Sequence, residues 1–126
     1  MPEHPNATVY RRYLEMLGAG DVDGVAPMIA NEVVWHEPGG TASIEGREAL
    51  LGQMQAVTGH FDLDLVLHDV VANDDHTVAL YEMIVEAEGK KLNARIAEIW
   101  HVSDGSVTER WAFTDDPGGF ASFFTG

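Results

Sequence analysis

The stretch Ala94-Arg95-Ile96-Ala97-Glu98-Ile99-Trp100-His101-Val102, continued by Ser103-Asp104-Gly105-Ser106-Val107, decides the fold. Its side chains alternate as on a β-strand, so Ala94, Ile96, Glu98, Trp100 and Val102 share one face. Asp104-Gly105 is a strong turn signal that returns the chain through a second strand, Val107 to Thr114. The result is an antiparallel hairpin with one face that is apolar except at Glu98. An unpartnered carboxylate is costly there, so it pairs, lines a wet cavity or takes up a proton. A second acid stands in a comparable place, because Glu37 ends the apolar run Val33-Val34-Trp35. Two acids at the inner ends of apolar strands point to a pocket with acid–base capacity.

Upstream of the hairpin the period changes. Val9, Tyr10, Tyr13, Leu14, Met16 and Leu17 are close to helical spacing over Ala7 to Gly18, where Gly18 and Gly20 end the helix. Asp21 caps a short second helix that runs to about Ile29. A strand is expected over Asn31 to Glu37, ending at Pro38-Gly39-Gly40. A third helix follows from Glu45 to Val57, with Gly59 closing it. The pattern then has period two through Leu63, Leu65 and Leu67. Thr77 to Ala87 and Leu92 to Val102 form a hairpin about Gly89-Lys90, and the tail makes one helical turn around Phe120 to Phe124. Helices followed by hairpin-linked strands predict an α+β domain, with three N-terminal helices on one face of a curved antiparallel sheet.

The 126 residues fit one domain, 1–126, and 45% of them are hydrophobic, enough for one core. No apolar run approaches the roughly 20 residues that span a bilayer. The first residues lack the charged and apolar regions of a signal peptide, so the cytoplasm is the expected location. There is no cysteine, which excludes disulfides, thiolate metal sites and cysteine nucleophiles. Seven basic residues stand against 21 acidic ones, a net charge of −14 that repels nucleic acids and anionic membranes and suits a neutral organic ligand. The six histidines form no His-Glu-x-x-His pattern, Ser43 and Ser106 lack a nucleophile-elbow context, and Gly118-Gly119 is not a phosphate loop. No metal or cofactor is expected.

The chain resembles the nuclear-transport-factor-2-like superfamily, the cone-shaped (cystatin-like α+β barrel) fold of ketosteroid isomerases and SnoaL-like polyketide cyclases. The carriers, spread over nearly the whole chain, are Tyr13-Leu14-Glu15 with Gly20-Asp21-Val22-Asp23, Val34-Trp35-His36-Glu37-Pro38, Ile44-Glu45-Gly46-Arg47-Glu48 and Ser103-Asp104-Gly105-Ser106-Val107. Carried over by position, the resemblance makes Tyr13 a hydrogen-bond donor to the substrate oxygen, Glu37 the group that moves the proton, and Glu98 a protonated second donor. The isomerase site is a familiar example of a carboxylic acid kept neutral by apolar surroundings. The two supporting tyrosines of the bacterial isomerases fall at Ile29 and Met54. Epoxide hydrolases of this fold place an arginine two residues before the acid; Ile96 holds that place here and Arg95 points to the other face.

Trp35, Met54, Met83, Trp111 and Phe113 are the expected lining of the pocket. What faces Glu98 depends on the turn. A two-residue turn places Trp111 opposite it, and a bulged three-residue turn places Arg110 there. Trp111 is favoured, because Val107, Trp111 and Phe113 then form the apolar face. The resemblance implies a cofactor-free isomerase or cyclase that moves a proton next to a carbonyl of a neutral, apolar substrate, and a homodimer through the other face of the sheet. The alternative is a non-catalytic ligand-binding or assembly domain, since fold does not fix function. A cavity faced by both carboxyl groups favours the enzyme. A hollow filled by Trp35, Trp111 and Met54, with both glutamates bridged to protein groups, favours the alternative.

Overall fold

The computed structural model describes residues 3–38 and 42–125, the side chains of Phe124 and Thr125 excepted. The expected Gly39-Gly40 loop therefore lies outside the described residues. Helix α1 spans Pro5–Gly18, with Pro5 in the first turn and the His4 ring accepting from the Asn6 amide at 3.1 Å. Ala7, Tyr10, Tyr13 and Leu14 form its buried face. Asp21 caps α2 (Val22–Val25) by accepting from the Gly24 amide, and a 3-10 turn over Ala26–Met28 leads into β1 (Ile29–His36). A short β2 (Ser43–Glu45) precedes α3 (Arg47–His60), which starts two residues later than expected, after Gly46. Strands β3 (Asp62–Ala72), β4 (His76–Ala87), β5 (Lys90–Ser103) and β6 (Ser106–Thr114) follow, then α4 (Pro117–Thr125), a full helix where a single turn is expected. The β4–β5 turn falls on Glu88-Gly89, one residue earlier than the sequence suggests, and both residues take positive φ.

Four α-helices and a six-stranded curved, unclosed sheet make an α+β fold of the cone-shaped type. The strand order is β2-β1-β6-β5-β4-β3. The sheet is mixed rather than antiparallel throughout, because β1 and β6 run parallel, joined at Ile29↔Val107, Val34↔Glu109 and Trp35↔Arg110. The two outer margins are the three-residue β2 and the eleven-residue β3, whose Asp62, Asp64 and Asp69 are exposed.

The concave face of the sheet packs on α1 and α3. Trp100 sits at its centre, 4.8 Å from the rings of both Tyr10 and Tyr13. A fully buried large apolar side chain contributes about 1.5–3 kcal/mol, so this aromatic cluster holds α1 on the sheet more firmly than helix propensity could. Ala94, Ile96, Glu98 and Trp100 are all buried on that face, as the alternation requires.

The β5–β6 hairpin decides which residues of β6 join them. Asp104 (φ 51°) and Gly105 (φ 79°) make a tight left-handed two-residue turn, with Ser103 opposite Ser106 and Val102 opposite Val107. Thr108 is then an extra residue, so His101 pairs with Glu109, Ile99 with Trp111 and Glu98 with Ala112. A one-residue slip reverses which side chains point inward. Val107, Arg110 and Ala112 are buried, whereas Trp111 lies half-buried on the outer face and Phe113 is 58% exposed. The expected apolar face of Val107, Trp111 and Phe113 is thus corrected beyond Val107.

Candidate active site

Inside the cone is a cavity of about 340 Å³. Trp35 and Glu37 reach it from β1 and the segment after it, Tyr13 from α1, Met54 from α3, Tyr81 and Met83 from β4, Arg110 from β6 and Phe120 from α4. Of the residues singled out from the sequence, the structure brings Tyr13, Trp35, Glu37, Met54 and Met83 together on one wall or another of this space. Trp111 and Phe113 are not among its lining residues, because the bulge at Thr108 turns them to the outer face.

Glu98 does not line the cavity either. It is 1% exposed and lies behind Arg110, which is 5% exposed. The Arg110 Nε–H donates to Glu98 Oε2 at 2.5 Å, and the Tyr10 hydroxyl donates to Glu98 Oε1. The role that the resemblance implies for Glu98, a protonated donor facing the substrate, is therefore corrected. Its carboxylate is the anionic half of a buried ion pair, and both of its oxygens already hold donors.

Arg110 is the group that the sequence did not assign to the site. One Nη1–H donates to the His36 carbonyl at 2.9 Å, and the guanidinium lies 4.6 Å above the Trp35 ring. The Tyr81 hydroxyl also meets it. Burial by itself would weaken the hold of Arg110 on its proton, but the Glu98 carboxylate more than offsets that and the net shift is upward. Arg110 is thus a permanent cation with fixed orientation, presented to the cavity by a carboxylate, a carbonyl and an aromatic face.

Glu37 faces the same space with no hydrogen bond or ion pair to its carboxyl group among the described residues. Burial raises its pKa above the ordinary 4.5, and the Arg110 charge pulls in the opposite direction without cancelling the effect. A carboxyl group raised in this way by desolvation is a better proton acceptor than a surface glutamate. Burial pushes the hydroxyl of Tyr13 far up, with the Glu98 charge adding to it, and burial likewise raises Tyr81. Both hydroxyls therefore stay protonated and able to donate. The Tyr13 hydroxyl has no hydrogen-bond partner among the described residues, although its ring is buried against Trp35 and Trp100.

Chemically, the cavity joins one basic carboxyl group, one fixed cation and two phenolic donors within largely apolar walls. Of the discriminating arrangements set out above, half of each is present: the space is open and Glu37 faces it, while Glu98 is bridged. Among the described residues no group of three or more histidine, aspartate and glutamate side chains could hold a metal ion. Among the described residues, no helix is long and apolar enough to cross a membrane. Tyr10 could have been found from sequence, since it stands one helical turn before Tyr13, and Tyr81 shares its strand face with Met83. Arg110 depends on the bulge, which has no clear signature in the residues around Thr108.

Solved structures share this architecture. An LEH-like epoxide hydrolase of M. tuberculosis superposes with a TM-score of 0.80 at 17% identity, covering 95% of this chain and 90% of that one. Bal32a, from a soil-derived mobile gene cassette, gives 0.85 at 23% identity, covering 94% and 95%. IdmH of Streptomyces antibioticus, described as a candidate polyketide cyclase, gives 0.75 at 21% identity, covering 97% and 100%. No curated protein matches the chain. Residues 10–110 match the family model of the SnoaL-like domain, well over half of the sequence, and the chain belongs to that family.

Proposed function

We propose that the protein is an enzyme that moves a proton next to a carbonyl group of a neutral, largely apolar organic molecule, in an isomerisation or an aldol-type cyclisation. The observation that carries this reading is one half-buried carboxyl group, Glu37, sharing a cavity with a pinned guanidinium, Arg110. Glu37 is the general base. Arg110, with the hydroxyls of Tyr13 and Tyr81, stabilises negative charge as it develops on the substrate oxygen. Fixed donors aimed at a developing oxyanion in a dry site are worth about 10²–10³ in rate for each one removed. Glu98 and Tyr10 hold Arg110 in place and do not touch the substrate. Because Arg110 is already balanced by Glu98, the cavity has no uncompensated positive charge and suits a neutral ligand.

The test is exchange of the α-proton for deuterium in bicyclic and tricyclic ketones, followed by NMR. This detects carbanion formation whichever product follows. The wild type should catalyse exchange and Glu37→Gln should lose it while keeping its affinity for the ketone. Binding without exchange in the wild type would mean a ligand-binding domain, and equal exchange in Glu37→Gln would remove Glu37 from the role. The likeness to an epoxide hydrolase gives a second reading, since an acid and an arginine in one cavity could also direct water onto an epoxide. Adding an aryl epoxide to the panel, with diol formation as the readout, separates the two. A homodimer through the outer sheet face is part of the proposal. Val71, Val78, Leu80 and Phe113 are exposed there, and such a patch suits a partner surface. Sedimentation at micromolar concentration showing only monomer would refute it.

A further inference from the structure

On the far side of the sheet from the cavity, His36 is held by three consecutive residues of β6. Its Nε2 meets Glu109 Oε2 at 2.8 Å. Its backbone carbonyl accepts from Arg110 Nη1 at 2.9 Å. Its ring stacks on Trp111, with centroids 5.4 Å apart and planes at 20°. The next residue in the chain is Glu37. Glu37 and Arg110, which line the cavity, are therefore the chain neighbours of His36 and Glu109, which meet each other outside.

That junction is sparingly held by backbone. β1 and β6 are joined at only three registered pairs, with a break between Ile29 and Val34. On its other side β1 meets only the three-residue β2. The strand ends at His36, and beyond it a single backbone bond among the described residues, the Glu37 amide donating to the Ala42 carbonyl at 2.9 Å, ties down the place where Glu37 is delivered. We infer that the His36–Glu109 pair is a positioning clasp that sets the separation of Glu37 and Arg110 from the opposite face of the sheet. The inference rests on the proposed roles of those two residues. A protonated His36 makes the clasp an ion pair, and a neutral one leaves a single hydrogen bond, so its grip weakens as pH rises. The other titratable groups around it are Glu45 on β2, next along the β1–β2 register, and His101 on β5, whose ring meets Trp111 at 4.7 Å and in turn meets His76 of β4 at 4.6 Å.

The test reads Arg110 directly, in the free protein. The side-chain Nε–H resonance of Arg110, buried and hydrogen-bonded, is followed by ¹⁵N NMR across pH in the wild type, His36→Gln and Glu109→Gln. In the wild type the resonance should show a step with the same midpoint as the ring carbons of His36. That step should vanish in both variants while the resonance itself persists. A step unchanged in His36→Gln, or a wild-type resonance that ignores His36, would overturn the clasp. If His36→Gln does not fold, Glu109→Gln alone decides, because it keeps the histidine and removes only the charge it pairs with. In the ketone exchange assay both variants should lose kcat by about tenfold at constant KM, short of the ~10²-fold cost of an ångström of misplacement. An unchanged kcat in a folded variant that lost the step would also overturn the inference. Should the wild type catalyse no exchange at all, the functional reading fails, and the NMR step still decides the clasp.

Discussion

Glu98→Gln removes one charge from a place that water does not reach. The substitution conserves shape, and the glutamine carbonyl can still accept from the Tyr10 hydroxyl, so packing is nearly untouched. What changes is Arg110, left as a cation that is 5% exposed with no counter-charge bonded to it. Breaking a buried pair by removing one partner costs about 3–5 kcal/mol, mostly the price of desolvating the charge that remains. Small domains have about 5–15 kcal/mol of stability in all, so this one change removes roughly a fifth of it or more. For a chain of this size the loss is a fall in Tm of roughly 10–20 °C. Urea unfolding at constant pH, followed by circular dichroism, gives the free energy directly. The double variant Glu98→Gln with Arg110→Met provides the control. Neutralising both halves removes the desolvation cost, so it should regain most of the lost stability while remaining inactive. A loss below about 1 kcal/mol in the single variant would mean that the pair is solvated and the buried geometry wrong. A double variant as unstable as the sum of the singles would refute the coupling between them.

Four further outcomes follow from the same geometry. Because burial raises the Glu37 pKa, folding favours its protonated form, so its ionisation erodes stability as pH rises from about 4.5 through the raised value. Glu37→Gln should therefore be more stable than the wild type above that window and equal to it at lower pH, as thermal unfolding across pH would show; a variant less stable at neutral pH would contradict it. The same shift places the acid limb of the wild-type exchange rate above the ordinary carboxylate range. Tyr81→Phe should lower the exchange rate by about 10²-fold if its hydroxyl stabilises the oxyanion, with little change in ketone affinity, and an unaltered rate would leave that hydroxyl a purely structural partner of Arg110. Deleting Thr108 removes the extra residue and leaves the pairing beyond it as it is, His101 with Glu109 and Trp100 with Arg110, so Arg110 should stay inward and exchange activity should survive; a folded deletion variant without exchange activity would refute the reading of Thr108 as a residue outside the ladder.

The elements with strong local periodicity were legible from sequence alone. The face of α1 and the alternation along β5 follow directly from residue spacing, and so does the burial of Glu98. The parallel contact between β1 and β6 was not, because nothing local to either strand encodes which distant partner it meets. The partner of Glu98 turned on a single residue. Asp104-Gly105 correctly indicated a two-residue turn, but the extra Thr108 beyond it reversed the inward and outward sets, exchanging Trp111 for Arg110. The expectation of a neutral second acid failed for that reason, since Arg110 and Tyr10 supply the charge and the donor that Glu98 needs. Glu37, Tyr13, Trp35, Met54 and Met83 were placed on the cavity because each sits where helix or strand spacing already pointed inward.

The long β3 margin bears on a different property. A strand with one side unpaired is a template onto which another strand can add, and this one is eleven residues long. Its exposed aspartates at 62, 64 and 69 recur along that margin, so a second copy aligning there would bring like charges together on a molecule already at −14. The barrier these aspartates raise against strand addition is electrostatic, and it should fade in concentrated salt or in acid, where the carboxylates are screened or neutralised.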